Sequence, residues 1–253
     1  MVVIGLDLAW SARNASGMAV VDATAAPARL HSLALLRDDT QILAAIRAAA
    51  AAPALIAVDA PLRVTNAGGS RPADAQLSAD FRRYEAGVHS VNLGMPHFAD
   101  GGRGARLMAA LAADGFVEIT SPDVVPARGV FECYPHAAMV SIFGLTRTLK
   151  YKARGAGRSR ATRLAAWGQY HALLHTLAVA DPPLLGVDAV LLPAATLVAL
   201  SDAALKRYED QIDALFCAYI ALYLARWGAA RCVVYGDATT GALITPRVGN
   251  ESV

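Results

Sequence analysis

The chain has 253 residues, 55% of them hydrophobic, with 23 Lys and Arg against 21 Asp and Glu and a formal net charge of +2. That balance is too small to imply a polyanion partner by itself, so any such argument rests on how the charge is distributed. The length suffices to bury a full core, and no Ser/Gly-rich linker or repeat divides it, so a single domain over 1–253 is expected. Apolar runs such as Ala214 to Ala225 fall short of the ~20 residues that cross a bilayer, which leads us to expect a soluble chain with no membrane partner. Met1 opens directly into a strand with no basic and then apolar leader, and Cys133, Cys217 and Cys232 are an odd, scattered set. Both features point to a reducing cytoplasm and no structural disulfide.

The first predicted element is the β-branched run Val2 to Ile4, which reads as a buried strand and delivers a carboxylate, Asp7, where the apolar run ends. Ser16 to Asp22 and Leu30 to Leu36 read as the second and third strands of an antiparallel meander, separated by turn-forming residues that include Pro27. Asp38 or Asp39 can cap a helix to about Ala51, stopped by Pro53. Leu55 to Asp59 repeats the pattern of the first strand. Because a crossover between parallel strands is right-handed, this strand is expected beside the first and parallel to it, so that Asp7 and Asp59 emerge at one end of the sheet. Residues 60–128 mix Gly, Pro and Asn with helical patterns near Ala75 to Glu85 and Gly104 to Ala113, and are expected to form helices and long loops inserted in the domain.

Gly129 to Glu132 is a third strand ending in an acid. Pro135 suits the first position of a helix that Gly144 ends. A second insertion spans about 145–200. Within it, Arg147, Lys150, Lys152, Arg154, Arg158, Arg160 and Arg163 are basic, and no acid occurs from Cys133 to Ala180. Gly155 and Gly157 suggest a loop leading into a helix of about Ser159 to Leu177. Such a stretch is either a solvated surface or an anion-binding loop, and the lack of a neighbouring acid favours the second. The last long helix, about Asp202 to Trp227, places Asp210 and Asp213 on a face that continues into Cys217 and Ile220. Glu209, four before Asp213, is an alternative for the second acid. Strands at Cys232 to Tyr235 and near Ala242 to Thr245 close the chain.

Three strand-end acids, Asp7, Asp59 and Glu132, plus an acidic pair on a late helix match what two-metal phosphoryl hydrolysis needs. Hard Mg²⁺ or Mn²⁺ ions take carboxylate oxygens, and two ions ~4 Å apart stabilise the attacking and leaving oxygens of an in-line displacement. The bland reading makes each acid a helix cap or a surface ion-pair partner. Phosphate-loop, dinucleotide and nucleophile-elbow motifs are missing. His171 and His175 are four apart, but no Glu follows His171, which excludes a zinc-protease helix. His136 either assists proton transfer or bonds at its helix terminus.

Gly5-Leu6-Asp7, Val58-Asp59-Ala60-Pro61, Glu132-Cys133-Tyr134-Pro135, Tyr151-Lys152, Gly157-Arg158-Ser159-Arg160 and Asp210-Gln211-Ile212-Asp213-Ala214-Leu215 resemble the serial motifs of the family catalogued as domain of unknown function 429, predicted RNase H-like nucleases. The resemblance covers nearly the whole chain. It implies an α/β RNase H-like fold, a five-stranded mixed sheet in order 3-2-1-4-5 flanked by helices. By the same resemblance Asp7, Asp59 and Asp213 bind the metals, with Asp210 close by as in RuvC-type resolvases, whereas Glu132 has no equivalent in the RuvC pattern. The expected activity is therefore metal-dependent cleavage of DNA or RNA, with Lys150, Lys152, Arg158 and Arg160 holding phosphates. The rival expectations are a non-catalytic nucleic-acid-binding or scaffold protein of the same fold, and a hydrolase of a small phosphorylated substrate. A sugar-kinase or actin-like ATPase needs two such domains, for which the chain is too short.

Overall fold

The computed structural model describes residues 1–51, 53–153 and 158–249. The N-terminal apolar runs form β1 (Val2–Asp7), β2 (Ser16–Asp22) and β3 (Ala28–Leu36), paired antiparallel in sequence order. Asp38 caps α1 (Asp39–Ala49) by accepting from the Gln41 N–H, which satisfies one of the otherwise unpaired donors of the first turn. The helix returns the chain to β4 (Ala54–Val58), parallel to β1 in the register Val2 to Ala54 through Leu6 to Val58. Asp59 continues that register, since its N–H donates to the Leu6 carbonyl.

The following segment holds α2 (Pro72–Phe81), α3 (Gly102–Ala113) and the two-residue β5 (Val117–Glu118). It leads to β6 (Arg128–Glu132), parallel to β4. Pro135 begins α4 (Pro135–Phe143) and Gly144 closes it in the left-handed conformation. Ser159 caps α5 (Arg160–His175). Then come β7 (Leu184–Leu185), α6 (Ala194–Ala199), α7 (Asp202–Trp227), β8 (Cys232–Asp237) and β9 (Gly241–Pro246).

The result is an α/β structure with one mixed sheet between two helical layers. Among the described residues the sheet has nine strands rather than five, and its order is β7-β3-β2-β1-β4-β6-β9-β8 with β5 paired to β6, so the expected order 3-2-1-4-5 is replaced. Two causes account for this. β5 and β7 are two residues long, too short to carry a period of two, and the β8–β9 hairpin adds beyond β6. The expected loop at Gly155 and Gly157, with Arg154, lies outside the described residues.

Ile4, Leu6, Ile56, Val58 and Val130 face α1 and α3, while Val3, Leu55, Ala57 and Phe131 face α7 and α5. This alternation is the two-residue period of a sheet covered on both sides. α7 with its closing turn, Asp202–Ala230, is long and apolar enough by length and composition to cross a membrane, contrary to the reading of shorter runs, and 67% of its most apolar window is buried inside the fold. It lies on β1 and β2 so closely that a Cβ at Gly5 would come within 2.0 Å of the Ala214 carbonyl oxygen. At Gly17 it would come within 1.8 Å of the Asp210 carbonyl oxygen. Two missing side chains therefore let the α7 backbone approach the end of β1, which sets the acids of the helix beside Asp7.

Candidate carboxylate site

Asp7 ends β1 two residues after Gly5, and Asp59 follows Val58 two residues after Ala57, so both carboxylates point to the α7 face. There they meet Asp213, which is 0% exposed, and Asp210 and Glu209, also buried, from the third and fourth turns of α7. Burial pushes the Asp7 carboxyl well above the usual range, against the attraction of Lys152 and with the support of Asp213, Asp59 and Asp210. Asp210 is close enough to Asp7 for each carboxyl to act on the other. Asp59 is raised from the ordinary 3.8 to about 7, by burial first, against Lys152, and then by Asp213 and Glu132. Glu209 and Asp210 are raised as well, again chiefly by burial.

The positive charge that holds these acids comes from two lysines. Lys206 reaches Glu209 at 2.8 Å and Asp210 at 2.5 Å, the helical spacings of three and four residues. Lys152 reaches Asp213 Oδ2 at 2.7 Å and lies in the field of Asp7, Asp59 and Glu209. The preceding residue, Tyr151, is fully buried and donates its hydroxyl to Asp213 Oδ1 at 2.6 Å. Sequence reasoning overlooked Tyr151 and Lys206 as partners. The spacing of Lys206 to Glu209 and Asp210 was a usable signal, whereas nothing local pairs Tyr151 with α7.

Glu132 is not among these acids. It is in register with Val58, so it shares the face of Val58 and Val130 rather than that of Asp59. Its oxygens accept from Arg71 Nη2 at 2.6 Å, Arg71 Nη1 at 2.9 Å and the Leu62 N–H at 3.0 Å. Arg71 also bonds Asp74 at 2.7 Å, which makes a buried network at the start of α2. His136 is buried against Thr148 at 3.0 Å, and burial lowers its basicity well below that of a free imidazole.

The basic stretch finds its acids elsewhere in the chain. Arg147 and Lys150 pair with Glu85, and Arg160 and Arg163 pair with Asp202. Arg160 also donates to the Val198 and Leu200 carbonyls. Arg158 donates to the Lys152 carbonyl at 3.1 Å and has no carboxylate partner among the described residues. It lies within electrostatic range of Tyr134, which is itself within range of Asp59. A narrow cleft beside Asp59 is walled by Trp10, Pro61, His89 and Tyr134. On the other side of Trp10 a more open depression of about 490 Å³ is lined by His97, Asp100 and Arg106.

A family model described as "Protein of unknown function (DUF429)" matches residues 5–239, a span that takes in all of these acids. The chain belongs to the DUF429 family. No curated protein and no solved structure matches it.

A divalent cation in this DUF429 chain would meet the acids beside Asp7. Its donors are carboxylate oxygens, the kind that Mg²⁺ and Mn²⁺ take. Among the described residues Asp213 Oδ2 and Glu209 Oε2 are buried with no hydrogen-bond partner, and a cationic ammonium already stands beside the first of them. Among the described residues no three His, Cys, Asp or Glu side chains are gathered closely enough to hold one ion. The donors fit in kind, and Lys152 stands beside them.

Folded Asp59 holds its proton up to about 7 while the unfolded chain releases it near 3.8. Between those values the folded state binds more protons at this group, so the contribution of Asp59 to stability is greatest below about pH 4 and falls as pH rises to about 7. Urea denaturation of the parent and Asp59→Asn across that window is expected to show a shallower fall in the variant. An identical pH profile would remove Asp59 from the cluster.

Proposed function

We propose that this DUF429 chain is a metal-dependent phosphodiester hydrolase of RNase H-like fold, acting on nucleic acid. The observation that carries the reading is that Asp7 and Asp59, at the ends of adjacent parallel strands, lie within electrostatic range of Asp213, and Asp7 also of Asp210, on the helix pressed against them. Acids whose ionisation is opposed by burial and by one another cost stability, and such arrangements gather at functional sites.

Asp7, Asp59 and Asp213 are the residues that would hold the metal, which requires their side chains to draw closer together than they stand here. Bound there, Mg²⁺ or Mn²⁺ supplies a Lewis acid for a phosphoryl oxygen and an activated water. Asp210 adds a further carboxylate beside Asp7. Tyr151 fixes Asp213 through one oxygen and leaves the other facing the site. Arg158, with no carboxylate partner among the described residues, is the group best placed to hold a phosphate beside Asp59.

The ion pairs made by Arg147, Lys150, Arg160 and Arg163 favour a second reading, a small phosphorylated substrate in place of a polymer. Cleavage assays with Mg²⁺ or Mn²⁺ on DNA, RNA, branched junctions and small phosphate esters separate the two. Arg158→Ala is expected to weaken nucleic-acid binding and to lower the log-log salt slope by ~0.7 to 0.9, the loss of one phosphate contact. An unchanged slope on every nucleic acid tried would leave the small-substrate reading.

A further inference from the structure

We infer that Lys152 is a built-in counter-ion of the carboxylate site, which competes with a divalent cation for Asp213 and must swing away from it before the ion binds. The inference rests on the metal-dependent reading above and concerns how that site is loaded.

Three observations carry it. First, the Lys152 ammonium is 2.7 Å from Asp213 Oδ2, yet that oxygen meets no hydrogen-bond geometry, so the contact is electrostatic and unaligned. An ion pair kept for structure alone gains most of its worth from aligned hydrogen bonds. Second, the anchoring is done one residue earlier. Tyr151 is fully buried and bonded to the other oxygen of the same carboxylate, so the backbone stays fixed while the lysine side chain, 24% exposed, has a path to solvent. Third, the acids outnumber the ammonium. Asp7, Asp59, Asp213 and Glu209 all act on Lys152, and Glu209 Oε2 is buried without a partner. A divalent ion, with its higher charge, would hold several of these carboxylates together better than one ammonium does. Lys206 cannot take the same part, because it is committed to Glu209 and Asp210 at helical spacing.

Removing the ammonium should favour cation binding on two counts: the competing occupant is gone, and so is the repulsion between like charges. Mn²⁺ binding to the full chain, read by electron paramagnetic resonance, is therefore expected to tighten by about tenfold or more in Lys152→Met and to stay near the parent value in Lys152→Arg. In the parent protein, Mn²⁺ should also speed chemical labelling of Lys152, read by peptide mass spectrometry, and this measurement decides the matter if the methionine variant does not fold. Equal Mn²⁺ affinity in parent and Lys152→Met, or labelling indifferent to Mn²⁺, overturns the counter-ion role and leaves the metal-dependent reading standing. Mn²⁺ binding to neither protein overturns both.

Discussion

Arg71→Met is expected to lower the folding free energy by about 3–5 kcal/mol, the cost of stranding buried charges by removing their partner. Arg71, Asp74 and Glu132 are exposed by 1%, 1% and 3%, and the guanidinium is bonded to both carboxylates and to the Arg63 carbonyl. The two acids keep only backbone donors once it is gone, Leu62 for Glu132 and Val91 for Asp74. The network joins the end of β6 to the loop before α2, so its loss reaches the edge that also carries Asp59. Chemical denaturation measures the effect. The variant should recover stability toward acid pH, where Glu132, already raised by burial, takes up a proton. A loss below 1 kcal/mol would mean that water reaches the site and replaces the arginine.

Asp7→Asn is expected to reduce divalent-dependent cleavage to background while the fold holds or gains slightly in stability. Burial, together with Asp213, Asp59 and Asp210, already opposes ionisation of Asp7, and an amide reproduces the neutral form without that cost. The sign follows from linkage: a carboxyl raised in the folded state costs stability above its unfolded pKa, so the gain should appear above about pH 4. Cleavage kinetics and thermal denaturation on one preparation separate the two effects, and unaltered cleavage would remove Asp7 from the chemistry.

The local elements of this protein were legible because their determinants lie within a few residues of one another. Asp38 and Ser159 announce helix starts, Pro135 and Gly144 bracket α4, and the long helix from Asp202 to Trp227 reads directly from its spacing. The acids at the ends of β1 and β4 were legible too, since a carboxylate closing an apolar run stands out against a period of two. The approach of α7 was not. Gly5 and Gly17 are unremarkable in the chain, and only the helix lying on them explains why a side chain is forbidden there.

By itself, then, the sequence determined which acids could converge and on which elements they ride, because periodicity and capping act over one or two turns. Only the tertiary structure decided which acids do converge. Glu132 resembles Asp59 in sequence, but its register with Val58 turns it to the other face and into the grip of Arg71. The basic stretch has no acid near it in the chain, yet Glu85 and Asp202 neutralise much of it, and Lys152 is drawn to Asp213 from far along the chain. Those pairings depend on where whole elements pack, since charges interact through space and local sequence carries no record of that distance.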